Sequence, residues 1–522
     1  MVMAIKKEQY RAFESVVGPE NISDEPLHLD AWAWRSGQAA GAQDFKPRFE
    51  AILMPGSTEE VQAIVRLCNK FRLQYKASST GWGSYCDPGG PGCLKLDLRR
   101  MNRIVEIDED SMYAVVEPYV ITAQLQGELM KRGLHCNING AGAITSAMPL
   151  AAHEGIGHLS QCCSVGERNL LAVEWVTPEG EIIRTGSAGS VGEWFCGDGP
   201  GPSLRGILRG NVVPLGGLGV YTKAATKIYH WPGPPTMRLK GHSPGYAPAD
   251  PPPYFMARFL SFPDENGRAL AIRKIGESEI GFVLMGFNAN MVAANVATSN
   301  EEEIVLAEEY LKSIQGPGFC FVIAGNSARD FEYKKQVLDL IIKEAKGKSL
   351  KAVEGGDVEA GLMWRCIRVT ASIRETMRAT GVFGGEIFGT DSYQVQSNFI
   401  QHSVRDKADL IERGLVYADS TFPFITSLEH GQQAHSEVLL RYTPSPEVAQ
   451  GTMEYVGKAN KNAVNGHYGL PHHVFNDAQH DFFGPHMWGY HKWLRKVKKA
   501  FDPNATSESS HHITVKDPAA EE

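Results

Sequence analysis

Two periods of apolar residues alternate along this chain of 522 residues. Ser57-Thr-Glu-Glu60 has the spacing of a capping box, a Ser followed three positions later by a Glu. Val61, Ile64, Val65 and Cys68 then recur at i, i+3, i+4 and i+7, which predicts one buried helix face. A short strand is predicted from Leu73 to Lys76. Ile104-Val-Glu-Ile107, Tyr113-Ala-Val-Val-Glu117 and Leu171-Ala-Val-Glu-Trp-Val176 read as further strands. The turn Pro178-Glu-Gly180 joins the last of these to Glu181-Ile-Ile-Arg184 as a hairpin. Alternation from Ala224 to Tyr229 adds another strand. Later in the chain, 301–314 and 330–346 read as amphipathic helices with acidic first turns. A basic helix over 492–501 is expected to bury Trp493, Leu494, Val497 and Phe501 and to turn its lysines to water. The mixed order predicts an α+β protein, not a regular doubly wound sheet.

Proline punctuates the pattern at 231–235 and 244–253. Because proline fixes φ and donates no backbone hydrogen bond, 231–253 is expected to be a domain boundary. Composition is that of a globular chain, with 43% hydrophobic and 21% charged residues. The 52 basic and 60 acidic residues give a formal charge of −8, which offers no clustered positive surface for nucleic acid. No run of about 18 apolar residues is present to span a membrane. The opening residues lack a secretory signal pattern, and with nine scattered cysteines a reducing, cytoplasmic location is expected. No C-x-x-C occurs, so the usual iron–sulfur and structural zinc spacings are missing; Cys162-Cys163 reads as packing.

Two glycine-rich segments carry the first hint of chemistry. Ala77-Ser-Ser-Thr-Gly-Trp-Gly-Ser84 follows the helix and short strand, and its backbone N–H groups and hydroxyls could wrap a pyrophosphate. Gly216-Gly-Leu-Gly-Val-Tyr-Thr222 leads into a strand. Each alone is equally compatible with a tight turn, and no Walker loop is present.

Order makes them specific. Leu53-Met-Pro-Gly-Ser-Thr-Glu-Glu60 is followed by Met101-Asn-Arg-Ile-Val105, Val115-Val-Glu-Pro118, Gly155-Ile-Gly157, Val165-Gly-Glu167 and Gly219-Val-Tyr-Thr222. Taken together these resemble the FAD-linked oxidase family of vanillyl-alcohol oxidase and p-cresol methylhydroxylase. The likeness runs through 46–230 and resumes at Gly466-His-Tyr-Gly469 and in 496–504. It implies a PCMH-type FAD-binding domain in 1–235, a cap or substrate domain in 236–464 with an antiparallel sheet flanked by helices, and a segment 465–522 returning to the first domain. It implies FAD contacts from Ser78, Ser79, Thr80, Gly81, Trp82, Gly83 and Ser84, and from Ala147, Met148, Pro149, Ile156, Gly157, Gly219 and Val220. The implied activity is that of an FAD-dependent oxidoreductase taking a hydride from a benzylic or alcohol C–H of a small aromatic substrate. A homo-oligomer is expected, passing electrons to a cytochrome, an electron-transfer protein or oxygen. Alternatives are a D-2-hydroxyacid dehydrogenase with a metal site and a flavin electron-transfer subunit.

Departures from the family pattern sharpen this. The cap position that tethers FAD in relatives falls near Gly381-Val-Phe383, which offers neither His nor Tyr, so FAD is expected to be non-covalent. Tyr85 and Tyr468 match the phenol-binding tyrosines, but the arginine expected after Tyr468 is replaced by Gly469-Leu470. Glu167 stands where relatives place an acidic residue, as a base or as an ordinary salt-bridged glutamate. Eight of the 17 histidines lie within 430–491. His467 or His472 is a candidate base in place of the arginine. His430-Gly-Gln-Gln-Ala-His435 is similar, at shorter spacing, to a metal pair of the hydroxyacid dehydrogenases, which makes His430 and His435 candidate Fe or Zn ligands. Trp364 to Arg368 is one residue longer than that branch's carboxylate clamp, and its arginines read as helix surface.

Overall fold

The structure, a computed structural model, describes residues 5–33, 47–81, 86–140, 142–152, 156–185, 194, 207, 217–242, 246–351, 353–368, 383–417, 422–443, 445–469, 471 and 474–516, with backbone alone over 383–390. Three larger sheets, beside two two-stranded ones, organise the described residues. The first has four strands in the order Ile22–Ser23, Ile52–Leu53, Cys93–Asp97, Gln74–Ser78. Its last three strands are parallel. Helix Thr58–Phe71 makes the crossover and buries Val61, Ile64, Val65 and Cys68 as the pattern requires. Ser57 caps it by accepting from the Glu60 N–H at 3.2 Å. The returning Glu60 carboxylate takes the Gly56 N–H at 2.8 Å, one residue before the position a strict capping box would use.

The second sheet is antiparallel, in the order Ile104–Asp108, Tyr113–Val116, Val220–Lys227, Leu170–Val176, Ile182–Arg184. Helix Thr58–Phe71 is tied to it through one buried carboxylate. Glu174, 1% exposed, accepts from Thr58 Oγ1 at 2.6 Å and Arg184 Nε at 2.7 Å and pairs with Lys223. Burial alone would raise its pKa, but hydrogen bonds from Lys223, Thr58 and Arg184 hold it down to about 2.

The third sheet has seven antiparallel strands, all after residue 254: Lys348–Ser349, Phe255–Ser261, Gly318–Ala324, Val283–Phe287, Phe424–Leu428, Gln433–Arg441, Phe383–Asp391. Helices Glu265–Glu277, Ala328–Glu344, Tyr393–Glu412 and Pro446–Gly466 accompany these strands in sequence. The α+β class is therefore as expected. Helix Asn300–Ser313 forms with Glu301, Glu302 and Glu303 in its first turn, where carboxylates meet the positive end of the helix dipole.

After helix Tyr490–Phe501 the chain returns to the first sheet. Tyr75 N–H donates to the Thr506 carbonyl at 2.9 Å, and Glu508 N–H donates to the Tyr75 carbonyl at 3.0 Å. Lys76 pairs with Glu508 at 2.7 Å, both nearly fully buried. One expectation fails on this helix. Trp493 is 62% exposed, and the buried face is made by His491, Arg495, Val497 and Lys498. Arg495 is drawn inward by Asp477 and Asp481 at 3.0 and 2.6 Å, which leaves the indole on the solvent side.

Replacing Glu174 by Ala strands the half-buried Lys223 ammonium and removes the link between helix and sheet. The expected loss is about 3–5 kcal/mol, read by urea denaturation. The depressed carboxylate also sets a sign. Its contribution is complete above the ordinary Glu value and is lost as pH falls from about 4.5 towards 2.

Candidate active site

Strand Gln74–Ser78 ends in the first glycine-rich segment. Parallel pairing places Ser78 opposite Asp97. The Ser78 hydroxyl is buried and has no hydrogen-bond partner among the described residues. Gly81 has φ 70, and a Cβ there would stand 2.9 Å from the Trp32 ring. The loop thus offers a buried unspent hydroxyl beside a left-handed glycine, which fits a ligand rich in acceptor oxygens such as the FAD pyrophosphate. Lys95, fully buried beneath it, donates to the Cys86 carbonyl at 2.8 Å and lies 4.2 Å from the Trp32 ring centre. Trp82, Gly83, Ser84 and Tyr85 lie outside the described residues.

Other expected FAD residues serve the fold. A Cβ on Gly157 would stand 1.9 Å from the Ile138 carbonyl, and one on Gly219, at φ 83, would stand 2.2 Å from the Val176 carbonyl. Both glycines allow strand-like segments to touch. Ala147 and Met148 open the helix Ala147–Ala152 and sit in the core with Trp175; Pro149 is half-buried. Val220 is buried against Val176 and Val61. Ile156 is half-buried, and its carbonyl accepts from Gly140 N–H at 2.9 Å.

The turn that follows, His158–Gln161, meets the seven-stranded sheet, and here titratable groups converge. His158 Nδ1 donates to the Cys366 carbonyl at 3.2 Å, so the neutral ring carries its lone pair on Nε2, which faces Gly140. Burial drives its pKa down to about 4, against the opposing pull of Cys366 and Glu437. Its ring centre is 6.5 Å from Phe424, and the His435 ring is 6.4 Å from Phe424 on a second line. His435, fully buried, donates from Nε2 to Glu437 Oε1 at 2.8 Å. The two sit two apart on Gln433–Arg441, hence on one face, and Glu437 pairs across the sheet with Phe424. Glu437, 24% exposed, is the carboxylate of this group with access to solvent.

The connection into that strand is strained. Glu429, His430 and Gly431 take φ 46, 57 and 83 in succession, three left-handed residues in a row. The Glu429 carboxylate pays for this by accepting the Val165 N–H at 3.0 Å and pairing with Arg168. His430 is thereby held in the turn, whereas His435 faces Glu437. Glu167 is half-buried beside Arg168, whose guanidinium is committed to Glu429.

The C-terminal candidates stand elsewhere. His467 is exposed and left-handed at φ 55, closing helix Pro446–Gly466. The Tyr468 ring packs against His402 at 5.5 Å. His472 lies outside the described residues. The arginines of 364–368 are not helix surface. Trp364 and Arg365 are buried, and Arg368 reaches the Ala123 carbonyl at 3.4 Å, because helix Gly356–Arg368 is packed between the sheet and the first half of the chain. Sequence reasoning missed His158, Phe424 and Glu437. The usable signal was the alternation of Ala434-His-Ser-Glu437, which puts His435 and Glu437 on one side of a strand.

Comparison with known proteins places this geometry. Residues 49–186 match the model of an FAD binding domain. The chain is 29% identical over 209 residues to the 1'-carboxy-chondrochloren decarboxylase of Chondromyces crocatus, covering 38% of this chain and 36% of that protein. It is 28% identical over 244 residues to the flavoprotein subunit of the 4-cresol dehydrogenase (hydroxylating) of Pseudomonas putida, covering 43% of each. The fold is similar to that of the 4-ethylphenol oxidase of Gulosibacter chungangensis, solved with isoeugenol. There the TM-score is 0.71 at 19% identity, over 98% of this chain and 99% of that one. The chain spans less than half the length of the curated relatives it matches.

The buried histidines define a pH response. His135, His158 and His480 are each pushed by burial to about 4, below the ordinary 6.5. The unfolded chain then binds more protons than the folded one between these values. Stability is expected to fall as pH drops from about 6.5 towards 4, and His158→Gln should flatten that slope in thermal melts.

Proposed function

Because residues 49–186 match an FAD binding domain and the fold is similar to that of p-cresol methylhydroxylase, we propose that this chain is an FAD-dependent oxidoreductase removing a hydride from a benzylic or alcohol C–H of a small aromatic substrate. The observation that carries this reading is the convergence of neutral His158 and the His435–Glu437 pair on Phe424, where the two halves of the chain meet. Bound FAD supplies the hydride acceptor. The chain supplies the rest. Oxidation at such a carbon leaves a substrate proton to be taken up or an anion to be stabilised. Glu437, held by His435 and reachable from solvent, can accept that proton, and Phe424 gives an aromatic ring a face to lie against. Ser78, with its unspent hydroxyl, and the loop after it hold the pyrophosphate. Tyr85 and His472 remain candidate substrate contacts from the sequence, and Glu167, Tyr468 and His467 are secondary ones.

FAD is held without a covalent bond in this reading, and electrons leave to an external acceptor, as in a dehydrogenase. Acid precipitation should release the yellow colour into the supernatant; colour kept in the pellet means a tether. Anaerobic mixing with 4-alkylphenols or benzylic alcohols should bleach the flavin, whereas bleaching by D-2-hydroxyacids alone would assign the other branch. Glu437→Gln should lower the rate of bleaching by about 10²–10⁴ while FAD content holds. An unchanged rate removes Glu437 from the chemistry. Reoxidation by air within one turnover time would mark an oxidase.

A further inference from the structure

Away from the Phe424 cluster, the same turn carries a second set of donor atoms. His135 ends the strand Leu134–His135, which pairs with Tyr229–His230. Cys162 and Cys163 follow the turn His158–Gln161. The ligand atoms of His135, Cys162 and Cys163 all lie within 4.8 Å of one another, the one such group of His, Cys, Asp and Glu among the described residues. We propose that these three side chains form a binding site for a divalent thiophilic cation of the zinc kind.

Distance, ligand type and charge each support this. Zinc takes thiolate at about 2.3 Å and imidazole at about 2.0 Å, which sets its ligands about 3.5–4 Å apart, so the group needs to close by no more than about 1.3 Å. His135 is buried, and among the described residues its Nδ1 has no partner beyond the neighbouring Cys136 backbone. An unsatisfied buried donor or acceptor is costly, and a ligated cation would satisfy it. The ring is boxed by Phe282, Tyr229 and Trp231 at 5.5, 5.8 and 6.2 Å, a setting that penalises net charge. Two thiolates and a neutral imidazole around a divalent cation sum to zero, whereas a monovalent cuprous ion would leave one negative charge. Binding releases both thiol protons to solvent, without any change in oxidation state. Cys162 is half-buried and gives an entry path. Its Sγ also contacts the Phe282 carbonyl at 3.3 Å, so the cation would sit where the first half of the chain touches the seven-stranded sheet.

The test uses reduced, FAD-loaded full-length protein. After chelation and dialysis against zinc, metal analysis should find about one equivalent per chain. Cobalt substitution should give thiolate-to-cobalt absorption beside the flavin bands. Cys162→Ser and Cys163→Ser should each abolish that absorption and reduce zinc to near zero with the flavin spectrum intact. If either variant misfolds, protection of the two thiols by zinc against alkylation in the wild-type protein reads the same point. Zinc no higher than in the double serine variant overturns the proposal. So does uptake of cuprous ion without zinc, or a mass lower by two hydrogens, which marks a Cys162–Cys163 disulfide.

Discussion

The Lys498 ammonium is 2% exposed, and it is tolerated there because a distant carbonyl and two groups of its own C-terminal segment converge on it. Its Nζ donates to the Gly217 carbonyl, to Asp502 at 2.6 Å and to the Ser507 carbonyl at 2.6 Å. A buried charge stripped of any of these would cost several kcal/mol, so the chain end cannot drift. Asp502 in turn accepts from the Thr506 and Ser507 N–H groups at 3.0 Å each, and Ser507 Oγ accepts from Gly219 N–H at 2.9 Å. The tail is thereby laid beside Gln74–Ser78, where Lys76 meets Glu508. The strand that delivers Ser78 to the glycine-rich loop is thus clamped by residues more than 400 positions away. A nucleotide site built mostly from backbone and hydroxyls needs that external rigidity, because it has few charged side chains of its own to fix a ligand.

The second constraint lies between the halves. Three left-handed residues at 429–431 would unwind without the Val165 N–H and the Arg168 guanidinium gripping Glu429. This turn immediately precedes Gln433–Arg441, and so it sets the register that places His435 opposite Thr426 and Glu437 opposite Phe424. A one-residue slip would send both polar side chains to the other face. Strain in the turn is exchanged for the position of the one partly exposed carboxylate in the cluster.

What could be read from the sequence was whatever is local. Helix Thr58–Phe71 declared itself through Ser57 and a 3.6-residue stripe, and the strands Tyr113–Val116 and Leu170–Val176 through apolar runs. The ordered glycine segments identified the FAD-binding half. What could not be read depends on pairing across the chain. His158 is defined by the Cys366 carbonyl, 208 residues on, and Arg168 by Glu429, 261 residues on. Trp493 was placed inside by its apolar character, but two aspartates outbid it by drawing Arg495 inward. Clustering of histidines near the C-terminus was a partial guide: it includes the buried His435, but His467 ends a helix in solvent, and His158, which meets the same Phe424, lies in the first half of the chain.

Two buried positions set the electrostatics of the face where the halves meet. His135 and His158 flank the same turn, and burial suppresses the charged form of both. A neutral imidazole can orient a partner without adding a fixed charge, so the field at the face is set by the few ionised groups left there. Glu437 raises the His158 pKa somewhat and is itself hydrogen-bonded by His435. Because His435 and His158 are buried, each such hydrogen bond acts in a lower dielectric and weighs more than it would at the surface. A carboxylate with one edge toward solvent and the other on a buried imidazole can then gain or lose a proton without the rest of the face rearranging. That is the property a site needs when a proton and a hydride must part company at one carbon.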